Sequence, residues 1–158
     1  MILVGDLGGT TCRLQLVEDD DTVLAQRVFL SKGAYPTLGA ILQAFLTACL
    51  PQGSSQPRVA CIAVAGPVKD NTCMVTNLDW FISGAELAKE LNIEVVTLIN
   101  DFAAVGYGIL ALQPEDSLQI NPNPKATTVE GAPIACVGAG TGLGEVYLTC
   151  DRNSNEYQ

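Results

Sequence analysis

The sequence predicts an α/β fold whose mixed sheet opens with three antiparallel strands and continues through parallel crossovers. Two observations predict it. Three strand-like runs, residues 2–4, 12–17 and 22–30, follow one another with no helical pattern between them. Helical patterns then alternate with buried strand-like runs, and a helix that links two strands of one sheet makes a parallel crossover. The chain is therefore expected to form a layered α/β domain.

The first two strands are joined by a glycine-rich segment. Glycine and threonine can present backbone N–H groups and hydroxyls to an anion, which favours a phosphate loop. Known phosphate loops lead from a strand into a helix, whereas strand alternation resumes here at once, so the loop is predicted within a β-hairpin. An ordinary glycine turn is the alternative. The candidate phosphate-binding residues are Gly5, Asp6, Leu7, Gly8, Gly9, Thr10 and Thr11.

The third strand, residues 22–30, follows an acidic turn. Apolar residues at helical spacing between Pro36 and Pro51 predict an amphipathic helix. Residues 58–65 read as a buried strand that ends at Gly66.

Ser83 and Glu86 form a capping-box pattern, which predicts a helix over residues 84–91. Another strand over residues 93–99 ends at Asn100 and Asp101, where a helical run over residues 102–112 begins.

A near repeat of the first hairpin lies downstream. Strand-like residues 133–137 and 145–150 flank a second glycine and threonine segment, which suggests an internal duplication. The candidate phosphate-binding residues of this segment are Gly138, Gly140, Thr141, Gly142 and Gly144. The polar, Pro/Asn-rich residues 113–131 are predicted to connect the two halves.

Composition narrows the function classes. The 158 residues carry 17 acidic and 8 basic side chains and no histidine, and the net charge of −9 argues against nucleic-acid binding. Backbone N–H groups and a divalent cation can still hold a small phosphorylated ligand. The longest nearly apolar run, residues 102–112, is too short to span a bilayer, and no export signal follows Met1. A cytoplasmic protein with six reduced cysteines is expected.

Asn100 and Asp101 are candidate site residues, because ligands of α/β sheets bind at the carboxyl ends of strands. Asp101 could accept the proton of a substrate hydroxyl that attacks a phosphoryl group. The alternative is that Asp101 only caps the helix that follows.

Three further candidates have alternatives of their own. Asp6 could bind Mg²⁺ through water or stabilise its turn. Asn77 and Asp79 supply polar groups beside Trp80, the only tryptophan, a composition that suits a sugar contact but also suits a strand end with a packed aromatic.

Four segments in order resemble the bacterial glucokinase family: residues 5–10, Thr76 and Asn77 with Trp80, residues 98–102, and residues 138–144. The resemblance extends from Met1 to about Thr149. It implies a ribonuclease-H-like (actin-like ATPase) fold, with a first domain over residues 1–112 and the start of a second, truncated domain over residues 132–158.

The resemblance also implies the chemistry and the ligands. ATP with Mg²⁺ would phosphorylate the 6-hydroxyl of glucose, Asp101 would act as the base, and Asn100 would bind sugar hydroxyls. Both glycine-rich segments would bind phosphate, and a homodimer is left open. Family members continue well beyond these residues, so this chain alone is expected to be inactive. Two alternatives remain: an inactive phosphate-binding or interaction module, and a repressor-type sugar kinase, whose cysteine-rich zinc motif the sequence lacks.

Overall fold

The computed structural model describes residues 1–120, 129–139, 143–151, 153–154 and 156–158. The chain divides into two compact units, Met1–Asp101 and Phe102–Gln158. Compactness alone does not define a domain, so the predicted boundary at residue 112 stays a prediction. Among the described residues, no helix is long and apolar enough to cross a membrane.

The first unit is built on a five-stranded mixed sheet, as predicted. Its strands are β1 Ile2–Leu7, β2 Thr11–Val17, β3 Val23–Leu30, β4 Val59–Val64 and β8 Val95–Asn100. Their order in the sheet is β3-β2-β1-β4-β8. Strands β1 to β3 are antiparallel, and β4 and β8 join β1 in parallel.

Two helices cover this sheet and close the core. The helix α1 spans Leu38–Cys49 with Thr37 as its N-cap, and α2 spans Gly84–Leu91 with Ser83 as its N-cap, so the predicted cap is confirmed. Inward-facing residues of β1, β2 and β4 pack on the apolar face of α1 around Phe45. This buried cluster fixes the sheet on which the candidate site is built.

A second, three-stranded sheet was not predicted. It consists of β5 Val68–Lys69, β6 Thr72–Val75 and β7 Trp80–Ser83. Strands of two to four residues are too short to show a clear period-two pattern. The signal that could have revealed them is the Asp70-Asn71 pair, because both residues have positive φ, as a tight hairpin turn requires.

The second unit contains a helix and two hairpins. The helix α3, Asp101–Ile109, begins at the last residue of the first unit, and a short 3₁₀ turn follows. Gly106 of α3 is buried, and a Cβ there would lie 3.0 Å from Val146. The strands are β9 Ile134–Ala139, β10 Leu143–Leu148, β11 Cys150–Asp151 and β12 Glu156–Tyr157.

Candidate functional site

The candidate site of the first unit lies where three parallel strands end. Leu7 of β1 pairs with Val64 of β4, and Val64 pairs with Asn100 of β8, so the three carboxyl ends are in register. Neighbouring strands lie about 4.8 Å apart, which places the residues after Leu7 and Asn100 about 10 Å from each other. This is the edge at which α/β sheets bind ligands.

The first glycine-rich loop is shorter than the sequence indicated. Gly5, Asp6 and Leu7 belong to β1 and Thr11 opens β2, so only residues 8–10 lie outside the strands. Gly8 closes the turn by donating its N–H to the carbonyl of Thr11 at 2.9 Å. The prediction that Gly5 and Leu7 are loop residues was wrong, because their backbones pair within the sheet.

The glycines of this segment serve close packing rather than a left-handed turn. None of the three has a positive φ. A Cβ on Gly5 would lie 2.8 Å from both Ile62 Cδ1 and Leu14 Cδ2 in the core. A Cβ on Gly9 would lie 3.4 Å from Asn77 Nδ2. The structure thus places Asn77 beside the first loop, as a shared sugar and phosphate site would need.

Asn100 and Asp101 form a fixed pair at the end of β8. The Asn100 amide nitrogen donates to the carbonyl of Gly66 at 3.0 Å and to Asp101 Oδ1 at 3.0 Å. That nitrogen has two hydrogens, so a sugar contact through it would displace one of these acceptors. Asp101 is also the first residue of α3, so it lies at the start of that helix, and its catalytic role stays a prediction.

The Asp101 carboxylate acts electrostatically on a buried thiol. Burial, and then the negative charge of Asp101, raise the pKa of Cys73. Cys73 Sγ also fills the space beside Gly66, where a Cβ would lie 2.9 Å from the sulfur. A protonated thiol therefore packs beneath the turn that holds Asn100.

Asn71 is a site-forming residue that the sequence reasoning missed. Its Nδ2 donates to the Val96 carbonyl at 2.8 Å, and its Oδ1 accepts from the Leu98 N–H at 2.8 Å. Because β8 is the last strand of its sheet, this amide replaces the peptide group of a neighbouring strand. Gly84 is required beside it, since a Cβ there would collide with the Asn71 amide.

Asp6 is suited to a water-mediated cation. It lies on β1 with its side chain half exposed, and its Oδ2 accepts from Arg13 Nη1 at 3.1 Å. Burial, and then the charge of Asp6, raise the pKa of the neighbouring Cys12 thiol to about 12. No group of three metal-ligating side chains occurs among the described residues. One exposed carboxylate still fits Mg²⁺ that is held mainly by phosphates and water.

Asp79 lies two residues after Asn77. It adopts a left-handed φ of 55° in the turn between β6 and β7. With Trp80, Glu86 and Glu90 it lines a cavity of about 280 Å³ between α1, β7 and α2. Asn77 thus lies beside the first loop, whereas Asp79 lines this cavity.

The second glycine-rich segment lies in the second unit. The predicted loop is again too long, because Gly138 and Gly144 are cross-strand partners in β9 and β10. The ring of Phe102 covers both, and a Cβ on Gly138 would lie 2.8 Å from it. Their glycine identity is thus explained by packing, and their phosphate role stays a prediction. Gly140, Thr141 and Gly142 lie outside the described residues.

Comparison with known proteins gives one family model. The model described as Glucokinase matches residues 3–157. Among curated proteins, glucokinase of Trichormus variabilis is 43% identical over 162 residues, covering 100% of this chain and 45% of that protein. Glucokinase of Synechocystis is 47% identical over 155 residues, covering 92% and 43%. The chain spans less than half the length of the curated relatives it matches.

Solved structures agree with the fold. A glucokinase from an Antarctic psychrotroph superposes with a TM-score of 0.81 at 29% identity, covering 99% of this chain and 48% of that one. A ROK family glucokinase from Streptomyces griseus, solved with glucose and AMPPNP, superposes at 0.61 with 21% identity, covering 99% and 46%. The second likeness concerns the fold alone. The α/β mixed sheet predicted from the sequence is confirmed.

Proposed function

Since the chain belongs to the glucokinase family, we propose that it is the part of an ATP-dependent glucose kinase that carries the catalytic base. The proposed reaction transfers the γ-phosphoryl group of ATP to the 6-hydroxyl of glucose. The observation that carries the proposal is the shared register of Leu7, Val64 and Asn100. It sets a glycine turn and an aspartate at one edge of one sheet, where an α/β fold binds its ligands.

Asp101 is the proposed general base. As the 6-hydroxyl oxygen forms its bond to the γ-phosphorus, the bond between that phosphorus and the β–γ bridging oxygen breaks. The hydroxyl proton passes to the Asp101 carboxylate, and ADP leaves with the bridging oxygen. The Asn100 amide holds Asp101 Oδ1 at 3.0 Å, which limits rotation of the carboxylate before the substrate arrives.

The first loop is the proposed phosphate contact of this chain. The N–H group of Gly8 closes the turn, and the N–H groups of Gly9 and Thr10 with the Thr10 hydroxyl remain for a phosphate at the end of β1. Asp6 would hold Mg²⁺ through water, and the cation, when bound with ATP, neutralises charge on the phosphates. Asn77 would contact the sugar from its position beside Gly9.

The test uses a hybrid protein. It joins this chain to the part of Trichormus variabilis glucokinase that lies beyond the matched region. A coupled assay then measures glucose-dependent ADP release by the hybrid, by the unmodified relative and by the 158-residue chain alone. The proposal expects release by the hybrid and none by the chain alone. A folded hybrid that releases no ADP beside an active relative would contradict it.

One observation favours a second function, an interaction module without catalysis. The outward side of the β9–β10 hairpin carries Val137, Leu143 and Tyr147, exposed by 64%, 65% and 71%, around a single charged residue, Glu145. Three large exposed apolar side chains on a two-stranded sheet suit contact with another polypeptide. The hybrid distinguishes the two functions, because an inactive hybrid together with a stable complex of the chain in sedimentation would favour the module.

A further inference from the structure

We infer that Ser31 is a positioning residue that holds the first loop in its phosphate-binding shape; this rests on the proposed function. Ser31 directly follows β3, the outermost strand on the far side of β2 from β1. It is the only fully buried polar side chain among the described residues. No strand pattern or motif in the sequence indicated a role for Ser31. The reaction proposed above does not involve it.

Two hydrogen bonds join Ser31 to the loop. Its Oγ donates to the carbonyl of Gly8 at 3.1 Å. Its backbone N–H donates to the carbonyl of Thr10 at 2.9 Å. Two carbonyls of the three-residue loop thereby point toward Ser31. A peptide whose carbonyl points inward turns the N–H of the following residue outward, because the two groups are antiparallel across the peptide plane.

This geometry determines what the loop can offer an anion. The peptides that follow Gly8 and Thr10 carry the N–H groups of Gly9 and Thr11. With the carbonyls of Gly8 and Thr10 held by Ser31, these N–H groups are directed away from the buried serine. Without the hydroxyl bond, the Gly8 carbonyl would need another donor, because a polar group shielded from water is costly to leave unpaired. Rotation of the peptide between Gly8 and Gly9 would let the Gly8 carbonyl find another donor, but it would turn the Gly9 N–H away from the anion.

The test is an NMR titration of the ¹⁵N-labelled chain with magnesium-ATP, following the amide signals of the first loop. The variants are Ser31→Ala, which removes the hydroxyl, and Ser31→Cys, which fills the same space with a weaker donor. Ser54→Ala is the matched control, since Ser54 lies in an exposed loop. Hydrogen exchange of the Gly8 amide is measured in parallel, in the absence of nucleotide. This amide donates to the Thr11 carbonyl, so its exchange rate shows whether the loop keeps its shape.

We expect Ser31→Ala and Ser31→Cys to raise the Kd for magnesium-ATP about tenfold and to speed Gly8 exchange, as loss of one hydrogen bond allows. Amides of β4 and β8 should keep their exchange rates, which a general loss of stability would not allow. Equal binding and equal Gly8 exchange in the serine variants and the wild type would overturn the inference alone. No signal change in the wild type would overturn the phosphate role of the loop as well. If Ser31→Ala does not fold, Ser31→Cys gives the same comparison.

Discussion

The amide nitrogen of Asn100 donates to Asp101 Oδ1 at 3.0 Å and, at the same distance, to the carbonyl of Gly66. The bond ties the last residue of β8 to the first residue of α3. It also connects the proposed base to the turn after β4, the central parallel strand. The carboxylate is therefore positioned by the sheet itself, which is what a weak base that acts by position requires.

Replacement of Asn100 should separate positioning from chemistry. In the hybrid, Asn100→Ala removes the donor to Asp101 and is expected to lower kcat about tenfold while raising the KM for glucose. Asn92→Gly is a suitable control, because Asn92 ends α2 in a left-handed conformation that glycine tolerates. Steady-state kinetics checks both values. Unchanged kcat and KM would show that the Asn100 bond does not prepare the site.

Replacement of Asn71 should weaken the first unit. Asn71→Ala leaves the Val96 carbonyl and the Leu98 N–H without their side-chain partner and places alanine at a φ of 56°. A loss of about 2–3 kcal/mol in the free energy of unfolding is expected. Asn71→Gly should lose about 1 kcal/mol less, since glycine accepts a positive φ. Urea unfolding measures both, and equal losses would exclude the backbone contribution.

Gly5 is predicted to be required by packing. Gly5→Ala places a methyl group 2.8 Å from Ile62 Cδ1 and should destabilise the chain by about 1–3 kcal/mol. Adding Ile62→Val removes that carbon and should recover part of the loss. Gly108→Ala is the contrast, because nothing lies within 4 Å of its site on α3, and it should stabilise slightly. If Gly5→Ala has the same urea midpoint with and without Ile62→Val, contact with the Ile62 side chain does not explain the requirement for glycine.

The buried Cys12 thiol should lower the free energy of unfolding at alkaline pH. Burial, and then the charge of Asp6, raise the pKa of the Cys12 thiol in the folded chain from its usual 9.0 to about 12. Between these values the unfolded chain has lost the thiol proton and the folded chain has kept it, so unfolding is favoured as pH rises. The contribution is fully present below about pH 9 and declines above it by at most about 1.4 kcal/mol per pH unit. Urea midpoints from pH 8 upward should fall less steeply in Cys12→Ala. Equal slopes would contradict the prediction.

The sequence predicted the sheet and its helices because their signals are long. The α1 pattern and the Ser83–Glu86 cap each involve several residues that agree. The first and last residues of the loops were harder to predict. Glycine is typical of a turn, but Gly138 and Gly144 are strand residues that make room for the ring of Phe102. The local sequence does not show that a ring from another element packs there.

Part of the candidate site could also be predicted from local sequence patterns. Asp101 could be found because a polar residue that follows a predicted strand stands out in an apolar sequence, and Asn77 because it lies near the only tryptophan, Trp80. Ser31 and Asn71 could not, since their importance lies largely in side-chain bonds to backbone groups 23 to 27 residues away. Such bonds depend on how the sheet folds and leave no spacing in the sequence.

The most direct test of the central claim is the kcat of the hybrid carrying Asp101→Asn. Asparagine keeps the shape and the acceptor for Asn100 but cannot take the hydroxyl proton, so kcat should fall by about 10²–10⁴-fold. Asp70→Asn is the matched control, because asparagine suits the left-handed φ of 51° at that exposed turn. A full kcat in Asp70→Asn and a nearly abolished one in Asp101→Asn is the predicted result. An Asp101→Asn hybrid with the kcat of the unsubstituted hybrid would contradict the claim that Asp101 is the base.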